Sequence, residues 1–193
     1  PYVKAHIINS MMEIVKNYDV DGIHFDDYFY PYKPVSKHHN DLAFHDGKED
    51  IGDFRRRQVD EVIKGVYDAI KAYNPKLEFG VSPFGVWRTK TTDPRGSNTK
   101  KGAFECYDQQ YADVYKWVKE GYIDYVVPQL YFEFNHPIAP FADLCDWWVS
   151  VCMNTDVKLY VGLPAYRLGR EGEFENKYEV VNQIKYANNY SEV

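Results

Sequence analysis

Three carboxylates stand where short apolar runs give way to loops. Asp26 and Asp27 follow Gly22-Ile23-His24-Phe25, and Glu133 follows Gln129-Leu130-Tyr131-Phe132. Paired carboxyl groups are the tools of acetal hydrolysis: one protonates the leaving oxygen while the other attacks or activates water. They stand roughly 5–5.5 Å apart in retaining enzymes and about 6.5–9.5 Å apart in inverting ones. An acid that keeps its proton near neutral pH needs apolar surroundings or a like-charged neighbour. Asp26 beside Asp27, among Phe25, Tyr28, Phe29 and Tyr30, offers both. The bland alternative is that an Asp-Asp pair caps a helix or pins a loop and that Glu133 is merely solvated.

Metal-assisted hydrolysis is the sharpest rival chemistry. His24, Asp26, His38, His39, His45 and Asp46 carry suitable ligand atoms. Most of these histidines share one long loop and show no fixed spacing such as HExxH, so neither a metal nor any other cofactor is expected. Ser82 lacks a GxSxG elbow, which argues against a serine nucleophile. Arg88 and Arg167 each follow a strand closely and could meet a substrate hydroxyl or carboxylate. Arg55-Arg56-Arg57 reads as a solvated helix start.

The elements that must position these groups alternate along the chain. Val3, Ile7, Met11, Ile14, Val15 and Tyr18 form a helical stripe, and the strand 22–26 follows. Val59, Val62, Ile63, Val66, Ile70 and Tyr73 form another, ahead of the strand 77–82. A third stripe, Tyr111, Val114, Tyr115 and Val118, stops at Gly121 and precedes the strand 125–131. A fourth helix uses Phe141, Leu144, Trp148 and Val151 and leads into 159–163, and a last helix spans about 177–190. Helix and strand in such alternation give an α/β fold with a parallel sheet. Neither a GxGxxG nor a P-loop follows any strand, so nucleotide-binding versions lose support.

Helix-to-strand links are short, whereas the strand-to-helix stretches 28–53 and 85–108 are long. In a (β/α) barrel the strand-to-helix loops build the active face. Four strands are half the eight of a closed barrel. The chain therefore reads as a single domain over 1–193 that is an incomplete TIM-type barrel. Its two open sheet edges are prone to pair with a second copy. Alternation along each strand sends Ile23, Phe25, Val81, Leu130, Phe132, Val161 and Leu163 towards the helices. It turns His24, Asp26, Tyr28, Gly80, Ser82, Phe84, Gln129, Tyr131, Glu133, Tyr160, Gly162, Pro164 and Tyr166 inwards, with Asp27 at the lip.

Composition bounds the partners. A net charge of -6 argues against nucleic acid or an anionic membrane surface as a partner. No apolar run approaches the ~20 residues of a membrane span. The three cysteines show neither metal spacing nor a complete disulfide set, and Cys145 and Cys152, one heptad apart, read as helix core. Aromatic residues reach 17%, with 18 Tyr and 4 Trp, more than a core of this size requires. Rings with an apolar face and a polar edge suit sugars; the bland alternative is an aromatic-rich core and surface. His24, Tyr28, Ser82, Phe84, Trp87, Gln129, Tyr131, Tyr166 and Arg167 are the expected lining of a polysaccharide or oligosaccharide site.

Three motifs carry a resemblance over essentially the whole chain. They are Asp21-Gly22-Ile23-His24-Phe25-Asp26-Asp27-Tyr28-Phe29-Tyr30-Pro31, Gly80-Val81-Ser82-Pro83-Phe84-Gly85 and Pro128-Gln129-Leu130-Tyr131. Together they resemble the bacterial glycosyl-hydrolase-like family ten, once a domain of unknown function. The resemblance implies a TIM-type barrel of which this chain holds strands four to seven. It also implies an exported or lipid-anchored, extracytoplasmic protein, and a glycosidase linked to cell-wall peptidoglycan strands. The first motif is similar to the strand-four signature of chitinase-like enzymes. Their catalytic Glu stands two places beyond the last Asp of that signature, where this chain has Tyr28, so a mechanism using a substrate acetamido group is not expected. An Asp on strand four is similar to the nucleophile position of the α-galactosidase-like clan, which implies nucleophile or acid for Asp26, a tuning partner in Asp27 and Glu133 as the second carboxylate. The competing expectation is a barrel that binds carbohydrate without cleaving it.

Overall fold

The computed structural model describes residues 2–32 and 40–193. Helix α1 (Tyr2–Asn17) leads into strand β1 (Gly22–Phe25). A 3-10 turn (Asn40–Phe44) interrupts the loop to α2 (Ile51–Tyr73). Asp50 caps α2: its Oδ1 accepts from Gly52 N at 2.7 Å and Asp53 N at 3.3 Å. These are donors that a helix start otherwise leaves unpaired. Val59, Ile63, Val66 and Ile70 then bury one stripe of α2, and Pro75, one residue past the C-cap Asn74, prevents its continuation. Strand β2 (Glu78–Val81) follows, then the short α3 (Cys106–Gln109), α4 (Val114–Lys119) and β3 (Tyr125–Val126). The chain continues through α5 (Phe141–Cys152), β4 (Lys158–Leu159) and α6 (Glu179–Ala187).

The four strands pair in chain order, β1-β2-β3-β4, and every pair is parallel. The fold is thus α/β with a parallel sheet, as the alternation predicts. The strand order runs without reversal, the mark of doubly wound sheets, which is consistent with a stretch of barrel wall. β1 and β4 are its edges. The helices cover one face, where Ile23, Phe79, Val81, Val126, Leu130 and Leu159 join the buried side of α2, α4 and α5. Among the described residues no helix is long and apolar enough to cross a membrane.

Three local expectations are corrected. Tyr111 does not belong to the helical stripe: it sits at φ 55 between α3 and α4, a left-handed backbone that breaks any helix. Strands three and four are shorter than their apolar runs. Pro128, with no N–H, interrupts the ladder, which resumes only as single bridges from Gln129 to Phe84 and Gly162. Arg55 is not solvated. It is 4% exposed, with its Nε 2.8 Å from Asp41 and its Nη1 donating to Tyr111 at 2.9 Å. Cys106, Cys145 and Cys152 are buried free thiols.

Candidate active site

The inner face of the sheet is built around a glycine. A Cβ at Gly80 would lie 2.2 Å from the Tyr125 ring, so only glycine lets that ring cross β2 and reach β1. There the Tyr125 hydroxyl lies 3.0 Å from Nδ1 of His24, and the two rings stack with centroids 5.6 Å apart. The other ring nitrogen of His24, Nε2, is 2.8 Å from Ser82 Oγ. Burial lowers the pKa of His24, against the opposing charge of Asp26, so the ring stays neutral between its two hydroxyl partners. His24 and Ser82 are therefore hydrogen-bonded to each other inside the sheet, and Tyr125 is a member of that chain which the sequence reading missed.

One step nearer the strand ends lies Asp26. Its Oδ1 accepts from the Asp27 backbone N–H at 2.7 Å and from Gln129 Nε2 at 2.9 Å. Gln129 Nε2 also donates to the Ser82 carbonyl at 3.0 Å, so both hydrogens of that amide are used and its orientation is fixed. Asp26 is exposed. Asp27 is the opposite case, 3% exposed. Its pKa is raised from 3.8 to about 6, by burial first, then by the charge of Asp26 and the Asp26 carboxyl beside it; the Gln110 side chain opposes the rise. The Tyr32 hydroxyl donates to Asp27 Oδ2. Two adjacent carboxyls thus share a site in which one is exposed and the other holds its proton to an unusually high pH.

An aromatic wall stands beside this pair. Phe84 packs edge-on against Phe104 at 4.9 Å and Phe132 at 6.1 Å, and Tyr32 against Phe104 at 5.1 Å. The contact of inward Phe84 with outward Phe132 shows that strict alternation lapses beyond the regular strands. Tyr131 meets Tyr166 edge-on at 6.0 Å. Its hydroxyl titrates above the ordinary value through burial first, then through the charges of Tyr166, Asp26 and Asp27. Tyr131 therefore lies within electrostatic reach of the carboxyl pair.

Glu133 and Arg167 come together, but as an ion pair. Arg167 Nη2 is 3.1 Å from Glu133 Oε1, while Nη1 donates to the Tyr131 carbonyl at 2.8 Å. Glu133 is thereby tied to the loop after β4, and Gly172 packs against its carboxylate. Tyr28 is 82% exposed and lines, with His24 and Asp26, a cavity of about 830 Å³ along the outer edge of β1. Most of that cavity is apolar, walled by Val3, Ile7, Phe54 and Val59.

Trp87 is a correction. It is fully buried, stacks on Tyr115 at 5.0 Å and on Trp147 at 6.0 Å, and donates through Nε1 to Asp113. It has no free face to offer a sugar. Arg88 is likewise tied to Asp93 and Asp108 and stacked on Tyr107. Of the metal-ligand set, His38 and His39 lie outside the described residues. His45 bonds the Glu49 carbonyl and packs on Phe54, and Asp46 pairs with Lys48.

Comparison with known proteins agrees with the motifs that line this face. The family model described as Glycosyl hydrolase-like 10 matches residues 1–180. The chain belongs to that family. It is 41% identical over 191 residues to Glycosyl hydrolase YngK of Bacillus subtilis (strain 168), covering 95% of this chain and 37% of that protein. It is 38% identical over 178 residues to Glycosyl hydrolase DigH of Escherichia coli (strain K12), covering 91% of this chain and 40% of the relative. The chain thus spans about two fifths of the length of these glycosyl hydrolase-like relatives.

Proposed function

We propose that this chain carries part of the active site of a glycoside hydrolase, with Asp26 as the reacting carboxylate. The observation that carries the reading is the asymmetry of the two aspartates. Asp26 is exposed, with Oδ1 held by two N–H donors, and Asp27 is buried beside it with a raised pKa. Asp26 attacks the anomeric carbon or deprotonates the water that does. Below about pH 6, protonated Asp27 lets the pair carry one negative charge instead of two repelling ones.

Asp26 and Asp27 are consecutive residues, with the Asp27 N–H bonded to Asp26 Oδ1, and they act as one unit rather than as the two carboxyls that flank a glycosidic bond. The second must come from elsewhere. Glu133 is the candidate within the chain, and its carboxylate is held in an ion pair with Arg167. Retention of that pair throughout a catalytic cycle would instead favour an acid outside these 193 residues, or a barrel that only binds its glycan. The sheet edges at β1 and β4 are where further barrel strands would join, or where an isolated chain would meet a second copy.

The sugar site lies on the Gln129, Tyr131, Tyr166 and Phe84 side of Asp26. The apolar cavity on the β1 side offers few partners for sugar hydroxyls. The substrate is a polysaccharide, with peptidoglycan glycan strands foremost, and the working location is extracytoplasmic. Both follow from the family resemblance. The test is to incubate the complete protein with purified glycan strands and count new reducing ends. Release of ends supports hydrolysis, whereas saturable binding without release supports the binding reading.

A further inference from the structure

Gln110, at the end of α3, is fully buried, yet its amide is only half satisfied. Nε2 donates to the Asp27 carbonyl at 2.7 Å, while Oε1 has no hydrogen-bond partner among the described residues. A buried polar atom without a partner costs stability that an apolar side chain of the same length would not. The amide here has one visible occupation, which is to hold Asp27. The surrounding backbone is shaped to that end. The Gln110 carbonyl accepts from Tyr30 N at 3.3 Å, closing the β1 loop onto α3, and the next residue, Tyr111, takes the left-handed conformation. Arg55 holds Tyr111 there through its hydroxyl, and the Tyr30 ring packs against it at 5.0 Å. Backbone strain next to a working group is a pointer to function.

We infer that Gln110 is a positioning residue of the active site, which acts through Asp27 by fixing the place of its backbone and so of the carboxyl it carries. The inference rests on the reading of Asp26 and Asp27 as a working pair. Among the described residues, the titratable groups that act on Asp27 are the Asp26 carboxyl, the Tyr32 hydroxyl, the Tyr131 hydroxyl and the Cys106 thiol. None of them is a cation. The Gln110 amide donates to the Asp27 backbone carbonyl, and from that place on the helical side it favours the ionised carboxyl. Without it, Asp27 should hold its proton to still higher pH.

The test is a carboxyl-carbon NMR titration of aspartate-labelled protein, with the Asp27 signal assigned by its loss in Asp27→Asn. This readout does not depend on turnover, so it separates failure of this inference from failure of the hydrolase reading. In Gln110→Met, which keeps length and removes the orphaned oxygen, the Asp27 midpoint is expected to rise by roughly half a unit or more. Thermal stability is expected to hold or increase. Gln110→Glu, which loses the donor but stays polar, should shift the midpoint upwards as well, and it serves if the Met variant folds poorly. In the complete protein the same variants should lower kcat more than they change KM. An unchanged Asp27 midpoint in the variant that folds would overturn the inference and leave Gln110 a packing residue.

Discussion

Gln129 reaches across the sheet from the end of the third strand and donates its side-chain N–H to Oδ1 of Asp26 on the first, at 2.9 Å. Its second N–H holds the Ser82 carbonyl on the strand between them. One amide thus locks three strand ends into a single geometry around one exposed carboxylate.

Removing that donor should cost turnover more than stability. A hydrogen bond to a charged group contributes about 1.5–3 kcal/mol. In the complete protein, Gln129→Leu is expected to lower kcat on the order of 10- to 100-fold, with KM little changed. Steady-state kinetics against glycan substrate checks this. An effect confined to KM would make Gln129 a sugar-binding residue instead.

Asp27 sets the pH response. Its value in the fold, about 6, lies above its ordinary 3.8. A raised value means that its contribution to stability is complete below the ordinary value and is lost as pH rises through about 6. Activity that needs Asp27 protonated falls over the same upper range. Asp27→Asn, which stays neutral, should remove the basic limb of the rate profile near pH 6. It should also gain melting temperature relative to the parent at pH 8 compared with pH 4. A limb that persists in the variant belongs to another group.

Much of this arrangement is legible in the sequence. The alternation of stripes and short apolar runs gives the element order, and parity along β1 puts Ile23 in the core and His24 and Asp26 on the other face. The failures have physical causes. Trp87 follows a strand end, and a large aromatic there reads equally as a sugar platform or as core, because both uses need the same ring. Gln110 and Tyr125 act through single long-range contacts that leave no periodic signal. Arg55 is one of three successive arginines, and only the fold of the turn Asn40–Phe44 brings Asp41 against it. Gly80 was the one available clue: a glycine inside a strand often marks a close approach by another group.

That clue supports a sharp test. Gly80→Ala would place a methyl group against the Tyr125 ring and drive it from His24. Overpacking of this kind costs typically about 1–3 kcal/mol, measurable by urea unfolding. The double variant Gly80→Ala/Tyr125→Leu should recover part of the loss. If the single substitution is neutral, Tyr125 has room to move and does not hold His24.

Trp87→Ala separates core from site. Truncating a fully buried Trp costs about 3–5 kcal/mol, and the loss should appear in unfolding curves. At a temperature where the variant is still folded, glycan affinity should match the parent. Selective loss of affinity without loss of stability would restore Trp87 to the sugar site.

The most direct measurement is turnover of glycan by the complete protein carrying Asp26→Asn, an isosteric change that removes the charge and keeps the shape. The expected result is a fall of about 10³-fold or more in kcat, by analogy with the loss of other reacting groups, with folding and glycan binding retained. Turnover equal to that of the parent would contradict the assignment of Asp26 as the reacting carboxylate.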